Sequence, residues 1–327
     1  MILSEFDIIR RYFAAAGARR DDVAVGVGDD AAVVDVPPDR QLVLAMDTLV
    51  SGVHFPEETR AEDIGHKALA VNLSDLAAMG AEPAWATLAL TAPRNDPAWL
   101  AAFAEGFSAL AREAGVQLIG GDTTRGPLTV TVQVHGFVPR GQAVLRSGAR
   151  PGDVIYVSGS LGDAGLALRR WQQGWSPISV DEQYLATRLN RPVPRLQEGR
   201  ALRGLAGAMI DISDGLAADL GHILEASGVG ATLQLDALPL SPAFQRVCAA
   251  MGETQGARLA LGAGDDYELC FTAPAAHREQ VERQFAAFGC GCRAIGVIEE
   301  RPGLRVRQSD GSPLVFEHGG YDHFAAP

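Results

Sequence analysis

The stretch HKALAVNLSDLAAMGAEPAWATLAL, residues 66–90, decides how the chain is built. Its first part is Ala- and Leu-rich, with apolar residues on almost every side. That predicts a helix over Ala61–Met79 buried on most of its surface. The run Ala84–Leu90 behind it has the length and composition of a strand. The same alternation continues outward in both directions. Strands are expected at Leu42–Asp47, Gln117–Gly120, Leu128–Val138, Val154–Ser158, Ala208–Ile212, Thr232–Leu235 and Glu268–Thr272. Helices are expected at Pro97–Ala114, Gly165–Gln173, Gly215–Ala226 and Ala275–Phe288. Alternating elements of this kind mean α/β or α+β layers.

A chain of 327 residues holds two ordinary domains. The polar, Gly- and Pro-containing stretch Pro139–Asp153 separates two halves, which places the domains at 1–140 and 150–327. Arg191–Arg195 (RPVPR) reads as a rigid turn inside the second. With 47% hydrophobic and 21% charged residues, the composition is globular. A formal net charge of −12 disfavours nucleic acid or an anionic membrane as partner. Glu5, Asp7, Arg10 and Arg11 interrupt any secretory h-region. No run of about 18 uncharged apolar residues occurs, so no membrane span is expected. Four cysteines, Cys248, Cys270, Cys290 and Cys292, suit a reducing cytoplasm, with Cys290 and Cys292 as reduced thiols beside a strand.

Gly-Asp words recur: Gly28-Asp29-Asp30, Gly120-Gly121-Asp122, Ser213-Asp214-Gly215 and Gly264-Asp265-Asp266. One such Asp is most simply a turn residue. Several of them, with Asp47 closing LVLAMD, Asp122 closing QLIGGD, and Asp211 and Asp214 closing MIDISDG, suggest carboxylates at strand ends, where α/β sheets bind ligands. Asp75 stands apart, inside the buried helix, three residues from Asn72 and so on its face. Such a carboxylate needs a partner, either a metal or Lys67. Many carboxylates, few His or Cys, and Gly-rich loops favour a hard cation such as Mg2+ bridging to phosphates. No Walker A, H-R-D or D-F-G sequence is present. Arg146 is either a surface arginine or a phosphate clamp. Gly159, Gly162 and Gly165 read as a tight strand-to-helix turn with some anion affinity. His54 and Tyr321 are each either structural or in contact with substrate.

Taken together, GVGDDAA (26–32), MDTLVSGVHF (46–55), KALAVNLSDLAAMGAEP (67–83), LIGGDTTRGPL (118–128), HGFVPRG (135–141), RSGARPGD (146–153), DISDGLAADLGHI (211–223), GAGDDYELCF (262–271) and GYDHF (320–324) resemble the thiamine-monophosphate kinase family over nearly the whole chain. The resemblance implies a two-domain α/β fold. Its N-terminal domain would carry a dimerising β-sheet, its C-terminal α/β domain would complete the site, and ATP and several Mg2+ ions would bind between them. It implies Asp30, Asp47, Asp75, Asp122, Asp211 and Asp214 as metal ligands, and Gly121, Asp122, Arg146 and Ser213 at the nucleotide. It places His54, Asp265 and Tyr321 at thiamine monophosphate, and it needs no side-chain general base.

Four positions depart from the family pattern. Ala45 and Met46 replace hydroxyl residues, which leaves only backbone oxygen there. Ala114 replaces an aromatic that would stack on the nucleotide. Asp265 stands where Glu is frequent, giving a shorter reach. The rival readings are a purine-biosynthesis enzyme of the wider aminoimidazole-ribonucleotide-synthetase-like superfamily and a non-catalytic nucleotide sensor. A selenophosphate synthetase would need a Cys in the N-terminal Gly-rich segment, and a hydrogenase-maturation relative a Cys at the C-terminus. The first Cys here is Cys248 and the chain ends in FAAP.

Overall fold

The computed structural model describes residues 4–174 and 176–315. The chain divides into two compact units, Met1–Leu76 with Ala81–Ala143, and Ala77–Gly80 with Val144–Pro327. Tyr321 lies outside the described residues.

The first unit begins with a short helix, α1 (Glu5–Ile8). A Ser4 capping box closes its start, and the chain continues as one π-helical turn, Ile9–Phe13. Two small strands follow, β1 (Val23–Val25) and β2 (Val33–Val34), paired antiparallel. Then come β3 (Arg40–Val50), α2 (Ala61–Ala78), β4 (Glu82–Ala92), α3 (Pro97–Glu113), β5 (Gln117–Arg125) and β6 (Thr129–Pro139). The large strands form one sheet in the order β3-β6-β4-β5, with only β4 and β5 parallel. α2 is buried nearly all round, including Asn72 and Ser74, as its unbroken apolar composition requires. α3 starts at a strong stop-and-start signal. The Asp96 carboxylate accepts from the N–H groups of Ala98 and Trp99, with Pro97 in the first turn.

The second unit carries β7 (Val154–Ser158), α4 (Asp163–Trp171), α5 (Val180–Asn190), α6 (Leu196–Ala201), β8 (Ala208–Asp211), α7 (Leu216–Ser227), β9 (Gly230–Gln234), α8 (Pro242–Cys248), α9 (Glu253–Gly262), β10 (Leu269–Ala273), α10 (Arg278–Ala287), β11 (Cys292–Glu299) and β12 (Gly303–Arg307). Its six strands lie in the order β12-β9-β11-β7-β10-β8, antiparallel except for β12 on β9. One face of that sheet is packed by Ile155, Val157, Ile210, Leu233 and Ile295 against Leu166, Leu220, Phe244 and Leu261 from the helices.

Every expected helix and strand has a counterpart, with two shifts that matter for the site. β3 runs on to Val50 and β5 to Arg125, so Asp47 and Asp122 lie within strands and not at their ends. The cause is pairing. β6 is long enough to hold β3 from Arg40 through Val50, and Gly120-Gly121-Asp122 remain paired to Thr87-Leu88-Ala89. α1, β1, β2, α5, α6, α8, α9, β11 and β12 are additional elements that patterning alone did not single out. Among the described residues no helix is long and apolar enough to cross a membrane.

Candidate functional site

In the first unit the β1–β2 pair sits on the sheet through Val23, Ala32 and Val34, which pack on Ala84, Trp85, Ile119 and Phe137. Trp85 Nε1 donates to Asp22 at 3.0 Å, and Arg20 holds the same carboxylate at 2.7 Å. This clamp fixes where the chain between the two small strands must run. That segment, residues 27–32, forms one wall of a cavity of about 590 Å3. The 118–123 part of β5 forms another, and Phe6, Ile9 and Phe13 give an apolar side. Asp30, Gly121 and Asp122 therefore meet in one cavity. Asp30 and Asp122 are both exposed to it, and each word is shaped by a local bond: the Asp30 N–H donates to Asp29 at 2.9 Å, the Thr123 N–H to Asp122 at 2.9 Å. Gly121 has a φ of 150°, and a Cβ there would run into the Leu88 carbonyl, so no other residue fits.

A second group lies at α2 and β3. Asn72, fully buried, accepts from the Asp47 N–H at 2.9 Å and donates to the Ala68 carbonyl at 3.0 Å. Lys67, also buried, donates to the His54 carbonyl at 3.3 Å. His54 Nδ1 accepts from the Val50 N–H at 3.0 Å, which fixes the neutral ring with its proton on Nε2. Asp75 is half-buried on α2. The register aligns Asp47, Val132, Leu88 and Gly121 in one row across the sheet. With three strand spacings of about 4.8 Å, Asp47 and the Gly121-Asp122 pair stand about 14 Å apart. Among the described residues no three His, Cys, Asp or Glu side chains are gathered into a metal-holding group by themselves.

In the second unit β8 delivers Asp211 at its end, and the turn 212–215 carries Ser213 and Asp214 into α7. Asp219, in the first turn of α7 and almost fully buried, accepts from the N–H groups of Ser213, Asp214 and Gly215 at 3.0, 3.1 and 3.1 Å. Burial and then the neighbouring Asp211 push its carboxyl up to about 7, against the pull of the Asp214 N–H. Asp219 was not among the residues singled out from sequence. An Asp four residues past a Gly at a helix start is the signal that marks it. The segment 263–268 runs beside this turn. Asp265 N–H donates to the Ser213 carbonyl at 2.9 Å and Tyr267 N–H to the Ile212 carbonyl at 2.8 Å. Gly264 lies so close to the Ser213 carbonyl that a Cβ there would collide with it. Asp265 is half-buried, and Arg146 is exposed.

Two readings change here. The two Gly-Asp-Asp words differ in kind: Asp29 and Asp30 are exposed, whereas Asp266 is fully buried. At the turn Gly159–Gly165 the Asp266 carboxyl takes the Gly162 N–H with both oxygens, at 3.0 and 2.8 Å, so that backbone donor is already satisfied from within the protein. Cys290 and Cys292 are free thiols, and burial pushes them up to about 11 and 12, so they stay protonated.

The architecture is that of the AIR synthase related proteins. Residues 28–138 match the AIR synthase related protein N-terminal domain, and residues 150–309 the C-terminal domain. Over its full length the chain is 48% identical to the thiamine-monophosphate kinase of Salmonella typhimurium, all of which is covered. The crystal structure of the thiamine-monophosphate kinase from Stenotrophomonas maltophilia superposes with a TM-score of 0.85 at 50% identity, over 90% of this chain and 93% of that one. AaThiL complexed with AMPPCP and TMP superposes with a TM-score of 0.78 at 32% identity, over 91% and 92%. The chain belongs to the thiamine-monophosphate kinase family.

Proposed function

We propose that this enzyme transfers the γ-phosphoryl group of ATP directly to the phosphate of thiamine monophosphate, giving thiamine diphosphate. The observation that carries the reading is full-length family membership together with a cavity in which Asp30, Gly121 and Asp122 meet beside an apolar wall. Asp30, Asp47, Asp75, Asp122, Asp211 and Asp214 are the residues that would hold Mg2+. Their donors are all oxygen, as a hard cation requires. Bound Mg2+ would offset the repulsion between two phosphate groups, roughly 4 kcal/mol per pair of unit charges at 4 Å and an effective dielectric of 20.

The chain's own residues then have positioning work to do. Gly121 would let phosphate oxygens reach the backbone beside Asp122 in the first unit, and Ser213 and Arg146 are the nucleotide-binding residues we assign to the second. His54, with its proton on Nε2, offers a donor to thiamine monophosphate, and Asp265 a carboxylate. Tyr321 belongs to the same group. No side chain needs to act as general base, because a phosphate monoester with a second pKa near 6 is largely a dianion at neutral pH. The test is formation of thiamine diphosphate from ATP and thiamine monophosphate by the purified chain. No product, or product from a purine-pathway substrate instead, sinks the reading. With ATP alone, γ-labelled, the protein stays unlabelled; a stable phosphoprotein would overturn direct transfer.

We also place the enzyme in the cytoplasm, on the strength of its four free cysteines, and propose a homodimer. β3 is an edge strand of eleven residues. Its alternate residues Leu42, Leu44 and Met46 are exposed at 37%, 52% and 62%. A long apolar edge left open invites pairing with a second copy. Sedimentation should give twice the 34.5 kDa chain mass. The pair Leu44→Glu and Met46→Glu should shift it to the monomer; a variant that stays dimeric excludes this strand as the contact.

A further inference from the structure

The segment that carries Asp265 has an unusual backbone. Asp265 and Tyr267 both have positive φ, 67° and 49°, a region that side-chain-bearing residues leave unless their surroundings hold them. The residues that alternate with them are anchored inward. Asp266 is 1% exposed and grips the Gly162 N–H. Glu268 is fully buried, and Arg195 binds it in a two-pronged pair at 2.6 Å on each oxygen. Arg188 Nη2 reaches both the Glu268 carboxylate, at 2.8 Å, and the Asp266 carbonyl, at 3.2 Å. Ser158 Oγ donates to Glu268 at 2.6 Å and accepts from the Leu269 N–H at 2.8 Å. On its other side the segment is stitched to Ile212 and Ser213. Two buried carboxylates thus pin both neighbours of Tyr267, and the first of them is the residue directly after Asp265.

We propose that Asp266 and its partner Arg188 are positioning residues for substrate recognition. They hold Asp265 in its left-handed conformation, so its carboxylate is pre-set for thiamine monophosphate. This rests on the reading of Asp265 as a substrate residue. Relaxing the anchor lets residue 265 fall back to an ordinary backbone conformation and withdraws the carboxylate, so the loss appears in substrate binding and not in the chemical step.

The test is steady-state kinetics with each substrate varied in turn. Asp266→Ala should raise the KM for thiamine monophosphate about 10-fold, leave the KM for ATP unchanged and alter kcat less than about 3-fold. Asp266→Asn keeps an acceptor for the Gly162 N–H and should return the KM to within about 3-fold of the parent. Asp265→Ala should raise the same KM, and the double variant Asp265→Ala with Asp266→Ala should be no worse than Asp265→Ala alone, because both remove one contact. If Asp266→Ala does not accumulate folded, Arg188→Lys takes its place. It keeps the charge but, being shorter and lacking the guanidinium Nη2 that holds both the Asp266 carbonyl and Glu268, loses that link, and the same KM shift is expected. An unchanged KM in the anchor variant while Asp265→Ala raises it overturns the proposal, as does a fall in kcat alone, the mark of a merely structural role. An unchanged KM in Asp265→Ala overturns the substrate assignment beneath it instead.

Discussion

Asp122→Ala should lower the rate of thiamine diphosphate formation by about 10^3-fold, the scale on which a single electrostatic stabiliser of a transition state counts. The fold should scarcely notice. Asp122 is exposed, and its carboxylate accepts only from the N–H of the next residue, Thr123, at 2.9 Å. Exposed positions of this kind change stability by no more than about 0.5 kcal/mol. Asp214→Ala should cost a similar factor. Its turn keeps its shape because Asp219, not Asp214, gathers the three backbone N–H groups. Initial rates over a range of Mg2+ concentrations, with melting curves alongside, check both. Near-normal turnover at ordinary Mg2+ in either variant would remove that residue from the metal set.

Glu268→Ala should be the most destabilising single change in the second unit, by about 3–5 kcal/mol, the cost of leaving a buried charge without its partner. Two charges are stranded here, since Arg188 and Arg195 both close on Glu268, at 2.8 and 2.6 Å. Burial alone would push the Glu268 carboxyl up, but the Arg195 and Arg188 guanidiniums and the Ser158 hydroxyl outweigh it and hold the carboxyl below its ordinary value of 4.5. A carboxylate depressed in the folded state stabilises fully above about pH 4.5, and that stability drains away as the pH falls through the folded value. Urea denaturation at neutral pH should therefore show the full gap between parent and variant. The gap should narrow in acid. A gap that is small at neutral pH, or that widens in acid, contradicts this account.

The proposed oxygen-donor chemistry could be read in one dimension, because carboxylate-rich words are recognisable by residue type alone. Asp30, Asp122 and Asp214 stand in short words beside Gly or Ser, and at Asp29 and Asp122 the carboxylate accepts from the N–H of the next residue, so residue type and local shape are both carried by a few neighbours. The buried face of α2 was equally legible, since a helix apolar on all sides has nowhere to go but inside. Glu268, Arg188 and Arg195 were not legible. Their partners are 73 and 80 residues apart along the chain, and RPVPR looks like any rigid turn until its last arginine is seen closing on Glu268. The same holds for Asp47, whose place within β3 follows from the length of β6 rather than from its own neighbours.

By itself, then, the sequence determined the α/β layering and the likeness to a kinase family, and it marked out candidate carboxylates. Periodicity and short motifs are local properties that survive without a partner strand. Only the tertiary structure decided which of those carboxylates face a cavity and which, like Asp266, are spent inside the protein. The two Gly-Asp-Asp words are nearly identical as letters. One lies exposed at a cavity and the other is buried and binds the Gly162 N–H, 104 residues away along the chain. Burial of a carboxyl group is settled by what the rest of the chain brings to it, and no local pattern records that.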